Sequence, residues 1–208
     1  MSKLGLLLIG AGGHAKSCVD VIEQENEFQI IGLVGSLNEV GTQVLGYEVL
    51  GTDDDLPELM KFAHFALISV GQIGVNELRS SLFSKILNFG FTTPVITSPL
   101  AYVSPHAVVG KGTVVMHHAT INAGVSIGSN CIINSQVLVE HDVVVEDHCH
   151  IATGATINGG SRVGRSSFVG SGSKIRESIN IGTMCAIGMG VIVRHDVPAN
   201  SQFVGDLL

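Results

Sequence analysis

The sequence predicts two folds in one chain: a small α/β domain with a Rossmann-like parallel sheet, then an all-β parallel β-helix. Three observations carry this. From Val103 to Val193 a Val or Ile stands at every sixth position, as in Val109, Val115, Ile121, Ile127, Ile133, Val139 and Val145. Four residues after each comes a small or β-branched residue, such as Ala107, Thr113, Ala119, Val125, Cys131, Val137 and Val143. Before residue 97 this period vanishes, and apolar runs alternate with amphipathic ones. A six-residue period fits neither an α-helix nor an alternating strand; it marks stacked coils. Three hexads make one triangular coil, so each residue stacks on the one three hexads later, and no coil is stable alone.

The first half reads in order as alternating strands and helices, the pattern of a parallel sheet. Leu4–Ile9 is an apolar strand, leading through Gly10-Ala11-Gly12-Gly13-His14 into an amphipathic helix from Ala15 to Glu25. Phe28–Val34 is the second strand, Asp53–Phe62 a helix and Phe65–Val70 the third strand. Asn76–Asn88 comes next as a helix, with Leu78, Leu82, Phe83 and Ile86 spaced for burial and Gly90 as its stop. Pro94–Ile96 is a last short strand, and Ile96–Tyr102 a hinge. The division is therefore 1–97 and 98–208.

Composition excludes several classes. The 208 residues are 45% hydrophobic, yet no apolar run approaches the ~18 residues of a membrane span. The surplus suits the β-helix interior and a subunit interface, because Val115, Met116, Ile132, Leu138 and Val144 exceed one interior column. A net charge of −7 argues against nucleic acid or an anionic membrane as partner. Leu4–Ile9 is too short for a signal-peptide core, so a cytoplasmic chain is expected. Cys131 and Cys149 should stack, but without secretion reduced thiols are expected.

Two regions carry candidate chemistry. Gly10-Ala11-Gly12-Gly13-His14-Ala15 matches G-x-G-x-x-A between strand and helix, a context that places a phosphate on backbone N–H groups. A dinucleotide site would also place an acid at the end of the second strand, where this chain has Gly35-Ser36. A nucleotide sugar is therefore the preferred ligand, with a bare structural turn as the bland alternative. In the second half, His117, His118, His141, His148 and His150 cluster in sequence, but no zinc spacing appears and no metal is expected. Exposed histidines tolerate turns. Glu140-His141-Asp142, however, sits where other coils place Gly, Asn or Ser. The stacked neighbours of His141 are Ala123 and Gly159, small enough to leave room for a substrate, and Asp142 can orient the imidazole.

These residues carry a resemblance. Gly10 to Lys16, the hexads, Val137 to Asp142, His148 to Gly154 and Phe168 to Gly172 resemble the left-handed β-helix sugar acetyltransferases. The group joins sialic acid O-acetyltransferases and UDP-4-amino-sugar N-acetyltransferases of the bacillosamine type, and the resemblance covers nearly the whole chain. It implies a left-handed helix, a homotrimer, acetyl-CoA as donor and a sugar acceptor. It implies that His141 is the proton acceptor, supported by Asp142. Gly12, Gly13, His14 and Gly71 match the stretch that holds the nucleotide sugar, and Gly35, Ser36 and Asn134 are placed with that set. His150, Gly159 and Ser171 match positions lining the acetyl-CoA groove. Residues 1–97 are then the nucleotide-sugar-binding domain, and 98–208 the acetyltransferase domain. Two departures stand out. Gly35-Ser36 replaces the family's Asp-Asp, and Phe203 to Leu208 replaces a longer closing segment, which shortens the expected CoA groove wall. The expected activity is direct N-acetylation of a nucleotide-activated 4-amino sugar for surface glycan or nonulosonic acid synthesis. O-acetylation of sialic acid and a non-catalytic scaffold are the alternatives.

Overall fold

The computed structural model describes residues 3–75 and 77–203. Strand β1 (Leu4–Ile9) lies between β2 (Phe28–Val34) and β5 (Phe65–Ile68), parallel to both. Its Leu6–Ile9 segment is buried on both faces, as a central parallel strand requires. β4 (Tyr47–Gly51) extends the sheet beside β2. It is joined to a short antiparallel strand β3 (Gln43–Val44) through Leu45 and Gly46, both at positive φ. This hairpin has no Asn-Gly signal, and its Leu-Gly turn leaves no alternation long enough to read as strands.

Among the described residues, three helices accompany the sheet. α1 (Gly13–Glu25) buries Ala15, Cys18, Val19 and Ile22. The helix expected over Asp53–Phe62 shrinks to one turn, α2 (Leu56–Leu59). Asp55 takes the Thr52 N–H at 2.8 Å, and i→i+3 bonds from Lys61 to Glu58 and Phe62 to Leu59 tighten the chain beyond α2. α3 (Leu78–Asn88) ends as expected at Gly90, whose positive φ closes a Schellman pair: Phe91 N to Ile86 O and Gly90 N to Leu87 O. The expected start at Asn76 lies outside the described residues.

The second half forms a left-handed parallel β-helix with three faces. Its strands are two residues long, and each inward Val or Ile stacks on its counterpart one coil away, as Ile121 on Val139 and Val139 on Ile157. The small positions four residues on are buried in the same column. Where these are Ser they keep a partner, as in Ser167 Oγ to Gly182 O at 2.9 Å and Ser173 Oγ to Gly188 O at 2.6 Å. One corner residue per hexad adopts a left-handed backbone; the series runs Gly112, His118, Gly124, Asn130, Gln136, Asp142 and His148 and continues to Gly190.

Two expectations are corrected. Ile96–Thr97 (β6) does not join the α/β sheet; it pairs with Val114–Val115 as the first rung of the β-helix. Part of the apolar surplus is likewise not left for a subunit interface. Val115 is interior, while Val114, Met116 and Ile132 pack with Val19, Ile22 and Ile96 in a core shared by both halves. Of that set, Leu138 and Val144 remain half-buried. The α/β domain therefore sits on the face carrying Val114, Ile132 and His150. The last coil closes two residues early, with Ile181 beside Val197 and Ala186 paired with Gln202, and Val204–Leu208 lie outside the described residues.

Candidate functional site

The turn between β1 and α1 opens a cavity of about 1050 Å³, in the range of small-molecule sites. Gly10 is required there: at φ +119° a Cβ would meet the Val70 N at 2.8 Å. Gly12 caps α1 without any side-chain hydrogen bond, and Cβ atoms on Gly12 or Gly13 would meet nothing within 4 Å. The first turn of the helix thus faces open space with uncapped N–H groups, a cradle for an anion. Gly71 is needed for packing, since its Cβ would press on His14 Cβ at 3.2 Å. Gly35 and Ser36 form the next wall.

Sequence reasoning missed two groups here. Gln72 lines the cavity beside His150, which was expected in the acetyl-CoA groove, and Arg79 lies beneath the floor, buried at 1% exposure with no carboxylate partner among the described residues. Its Nη1 donates to the Ile68 carbonyl at 3.0 Å and to the Val70 carbonyl; its Nη2 donates to Asn130 Oδ1 at 3.0 Å. Asn130 in turn bonds His148 Nδ1 at 2.9 Å. This chain of bonds ties α3 and the end of β5 to a corner of the β-helix. Asp20 to His117 at 2.8 Å and Glu25 to the Thr97 N–H at 3.0 Å add further ties. An arginine in the first turn of a helix gives no sequence signal for this role. Burial and the Arg79 charge push His14 down to about 3, and burial above all pushes His150 down to about 4, so both rings are neutral near pH 7. His14 Nε2 and Gln72 Oε1 are buried without a partner among the described residues.

His150 is held at both nitrogens. Nδ1 donates to the Gln72 carbonyl at 2.6 Å, Nε2 accepts from Asn134 at 3.2 Å, and the ring stands edge-on to Phe168. The structure thus brings Gly12, Gly13, His14, Gly35, Ser36, Gly71 and His150 to one cavity, with Asn134 behind His150.

His141 and Asp142 lie elsewhere, at the corner after Leu138–Val139. The His141 side chain is 67% exposed, and its Nδ1 lies 2.9 Å from Asp142 Oδ2. That bond raises the imidazole above its ordinary range and keeps Nδ1 protonated, so Nε2 is the free basic nitrogen. Asp142 is at φ 61°. Asp tolerates that conformation, which turns its carboxylate back onto the ring. Gly159 is not free space for a substrate, contrary to expectation: a Cβ there would lie 2.7 Å from His141 Cε1 and Nε2. The ring itself occupies that position. Gly159 therefore stands with His141, whereas Ser171 comes after Phe168–Val169 on the face shared with His150, so within one chain the expected CoA-groove residues are spread over two corners and a face.

Among the described residues no group of three or more His, Cys, Asp or Glu is arranged to hold a metal, and no helix is long and apolar enough to cross a membrane. All four cysteines are buried free thiols.

Residues 5–86 match the PglD N-terminal domain, and residues 106–141 and 124–159 match the bacterial transferase hexapeptide family. A perosamine N-acetyltransferase from Caulobacter crescentus, solved as a histidine-to-asparagine variant with CoA and GDP-perosamine, is 31% identical. It superposes with a TM-score of 0.90 over 95% of this chain and 92% of its own. The acetyltransferase domain of PglB from Neisseria gonorrhoeae, with acetyl coenzyme A bound, is 29% identical, with a TM-score of 0.88 over 97% and 96%. An uncharacterized protein of Acanthamoeba polyphaga mimivirus is 30% identical over 115 residues, 55% of this chain, which spans only 22% of that relative.

Proposed function

The chain belongs to the hexapeptide-repeat, acetyl-CoA-dependent sugar acetyltransferases of the bacillosamine type, and on that premise we propose that it acetylates the amino group of a nucleotide-activated 4-amino sugar. The observation that carries the reading is His141. It is an exposed imidazole oriented by Asp142 and seated over Gly159, in a chain that also holds an open phosphate cradle at Gly12–His14.

The nucleotide diphosphate rests on the first turn of α1, with its sugar directed along Gly71 and Gln72. The amine nitrogen attacks the thioester carbonyl carbon of acetyl-CoA. His141 Nε2 takes the proton that nitrogen sheds, the C–S bond breaks, and the imidazolium returns the proton to the CoA thiolate. The products are the acetamido sugar and CoA. Asp142 stabilises the imidazolium between these two transfers. Because both nitrogens of His150 are engaged, the Gly159 N–H beside the ring is the donor assigned to the developing oxyanion. The buried cysteines need form no acyl-enzyme.

His141 and the cavity lie on different sides of the triangular prism of one chain, so a neighbouring chain must complete the site. A homotrimer with its active sites between subunits satisfies this, and places Ser171 and Gly159 of adjacent chains along one CoA groove.

The test is to follow CoA thiol release and product mass with acetyl-CoA and GDP- or UDP-linked 4-amino sugars. His141→Ala should lower turnover by roughly 10²–10⁴-fold with unchanged melting. Acetylation of hydroxyls alone, or substantial activity in His141→Ala, overturns the assignment.

A further inference from the structure

The end of β2 carries no acid, yet a carboxylate reaches it. Glu39 folds back in the turn after that strand, where its N–H donates to the Ser36 carbonyl at 2.9 Å. Its Oε2 accepts from the Ser36 N–H at 2.8 Å and from Ser36 Oγ at 2.5 Å. A Cβ on Gly35 would lie 2.9 Å from that same oxygen. The carboxylate thus occupies the space that a side chain at 35 would claim, in a tight spot that Val49 Cγ1 at 3.1 Å and Ala11 Cβ at 3.3 Å also close; glycine there leaves room for all three. Glu39 lines the cavity together with Gly12, Gly13 and Ser36.

We propose that Glu39, admitted through Gly35 and fixed by Ser36, is the residue that reads the ribose of the bound nucleotide, in place of the acid missing from the end of β2. This rests on the nucleotide-sugar reading of the cavity and specifies which part of the ligand selects it. A diphosphate on the N-terminus of α1 directs its ribose toward the adjacent strand end, where an acid in such folds accepts from a ribose hydroxyl. A carboxylate only accepts, so it requires an O–H or N–H donor. Ser36 saturates one oxygen and leaves the other for the ligand. No cation competes among the described residues: Lys85, the basic residue of the rim, faces Asp53 at 3.6 Å and Asp54 at 3.8 Å. The Ser36 bonds hold the Glu39 carboxyl below the usual carboxylate range, so it is ionised at neutral pH.

Binding of GDP, UDP and their 2′-deoxy and 3′-deoxy counterparts is measured by calorimetry on the full chain, on Glu39→Gln and on Gly35→Ala, with melting curves for each. The native chain should prefer the ribonucleotide over at least one deoxy form by about tenfold, as a hydrogen bond to a charged group gives. Glu39→Gln should lose most of that preference, its affinity for GDP and UDP falling about tenfold to that of the deoxy form, whose own binding stays unchanged. Gly35→Ala should act in the same direction by displacing the carboxylate. If the native chain binds neither GDP nor UDP, the nucleotide reading itself fails, and this inference with it. If the native chain binds but does not discriminate, or the preference persists in both variants, only the role of Glu39 is overturned.

Discussion

At the residue scale the proposed chemistry rests on a single imidazole and its two neighbours. Asp142 bonds His141 Nδ1 and raises the pKa of the ring, whereas the proposed reaction needs the neutral form. The acid limb of kcat/KM should therefore lie above the ordinary histidine value of ~6.5. Asp142→Asn keeps a residue that tolerates the left-handed corner, so the fold should be unaffected. Without the carboxylate, the ring loses a proton at lower pH and is a weaker, less oriented base. Its acid limb should move to lower pH while the plateau falls about tenfold, which a pH series of initial rates would read. An unmoved limb would show that another group controls it. Gly159→Ala tests the seat of the ring. Its new methyl would lie 2.7 Å from Nε2, and the exposed ring gives way more easily than backbone. Turnover should fall about 10²-fold with melting unchanged, since small misplacements at the reacting atoms are that costly.

Arg79 and the elements it joins decide whether the cavity has a floor. Its guanidinium bridges the carbonyls at the end of β5, just before Gly71 and Gln72, to Asn130 on the β-helix. Burial draws its pKa down to about 10, which still leaves it charged near pH 7. Arg79→Met leaves Asn130 Oδ1 and at least one buried carbonyl without a donor, at a cost of about 3 kcal/mol. Thermal unfolding should report this as a loss of roughly 6–12 °C for a chain this size. Because the Gly71–Gln72 segment loses its anchor, KM for the nucleotide sugar should rise more than kcat falls. Equal losses in both would place the effect on His141 instead of on the cavity.

At the scale of the whole molecule, the two halves share a core. Val114, Met116 and Ile132 of the β-helix pack with Leu6, Val19 and Ile22 of the α/β domain. In the proposed mechanism a cavity on one face meets a base at another corner, and the proposed trimer predicts complementation. Gly12→Phe should block the cavity without backbone strain, because a Cβ there meets nothing within 4 Å and its φ is −78°. His141→Ala removes the base but keeps the cavity. Co-refolded in equal amounts, the two inactive variants should recover roughly one native site in four if each site takes its cavity and its base from different chains. No recovery in verified mixed trimers would place both parts in one subunit.

By itself, the sequence determined whatever depends on period and local geometry. The hexads specified the β-helix, because each inward residue repeats against an equivalent neighbour one coil away and no tertiary information is needed to place it. The bounds of β1 and β2 and the glycine cradle at Gly10–Gly13 were equally legible, as was the His141–Asp142 contact between adjacent residues. The tertiary structure alone decided the rest, because it depends on distant segments meeting. The burial of Arg79 against Asn130, the locking of His150 by Gln72 and the cover over Ile132 join residues from different halves of the chain. Glu39 belongs with these. A glutamate in a polar turn reads as solvated surface, and only the fold shows that Gly35 leaves space for its carboxylate at the end of β2, since that depends on the absence of a side chain and not on any signal in the turn.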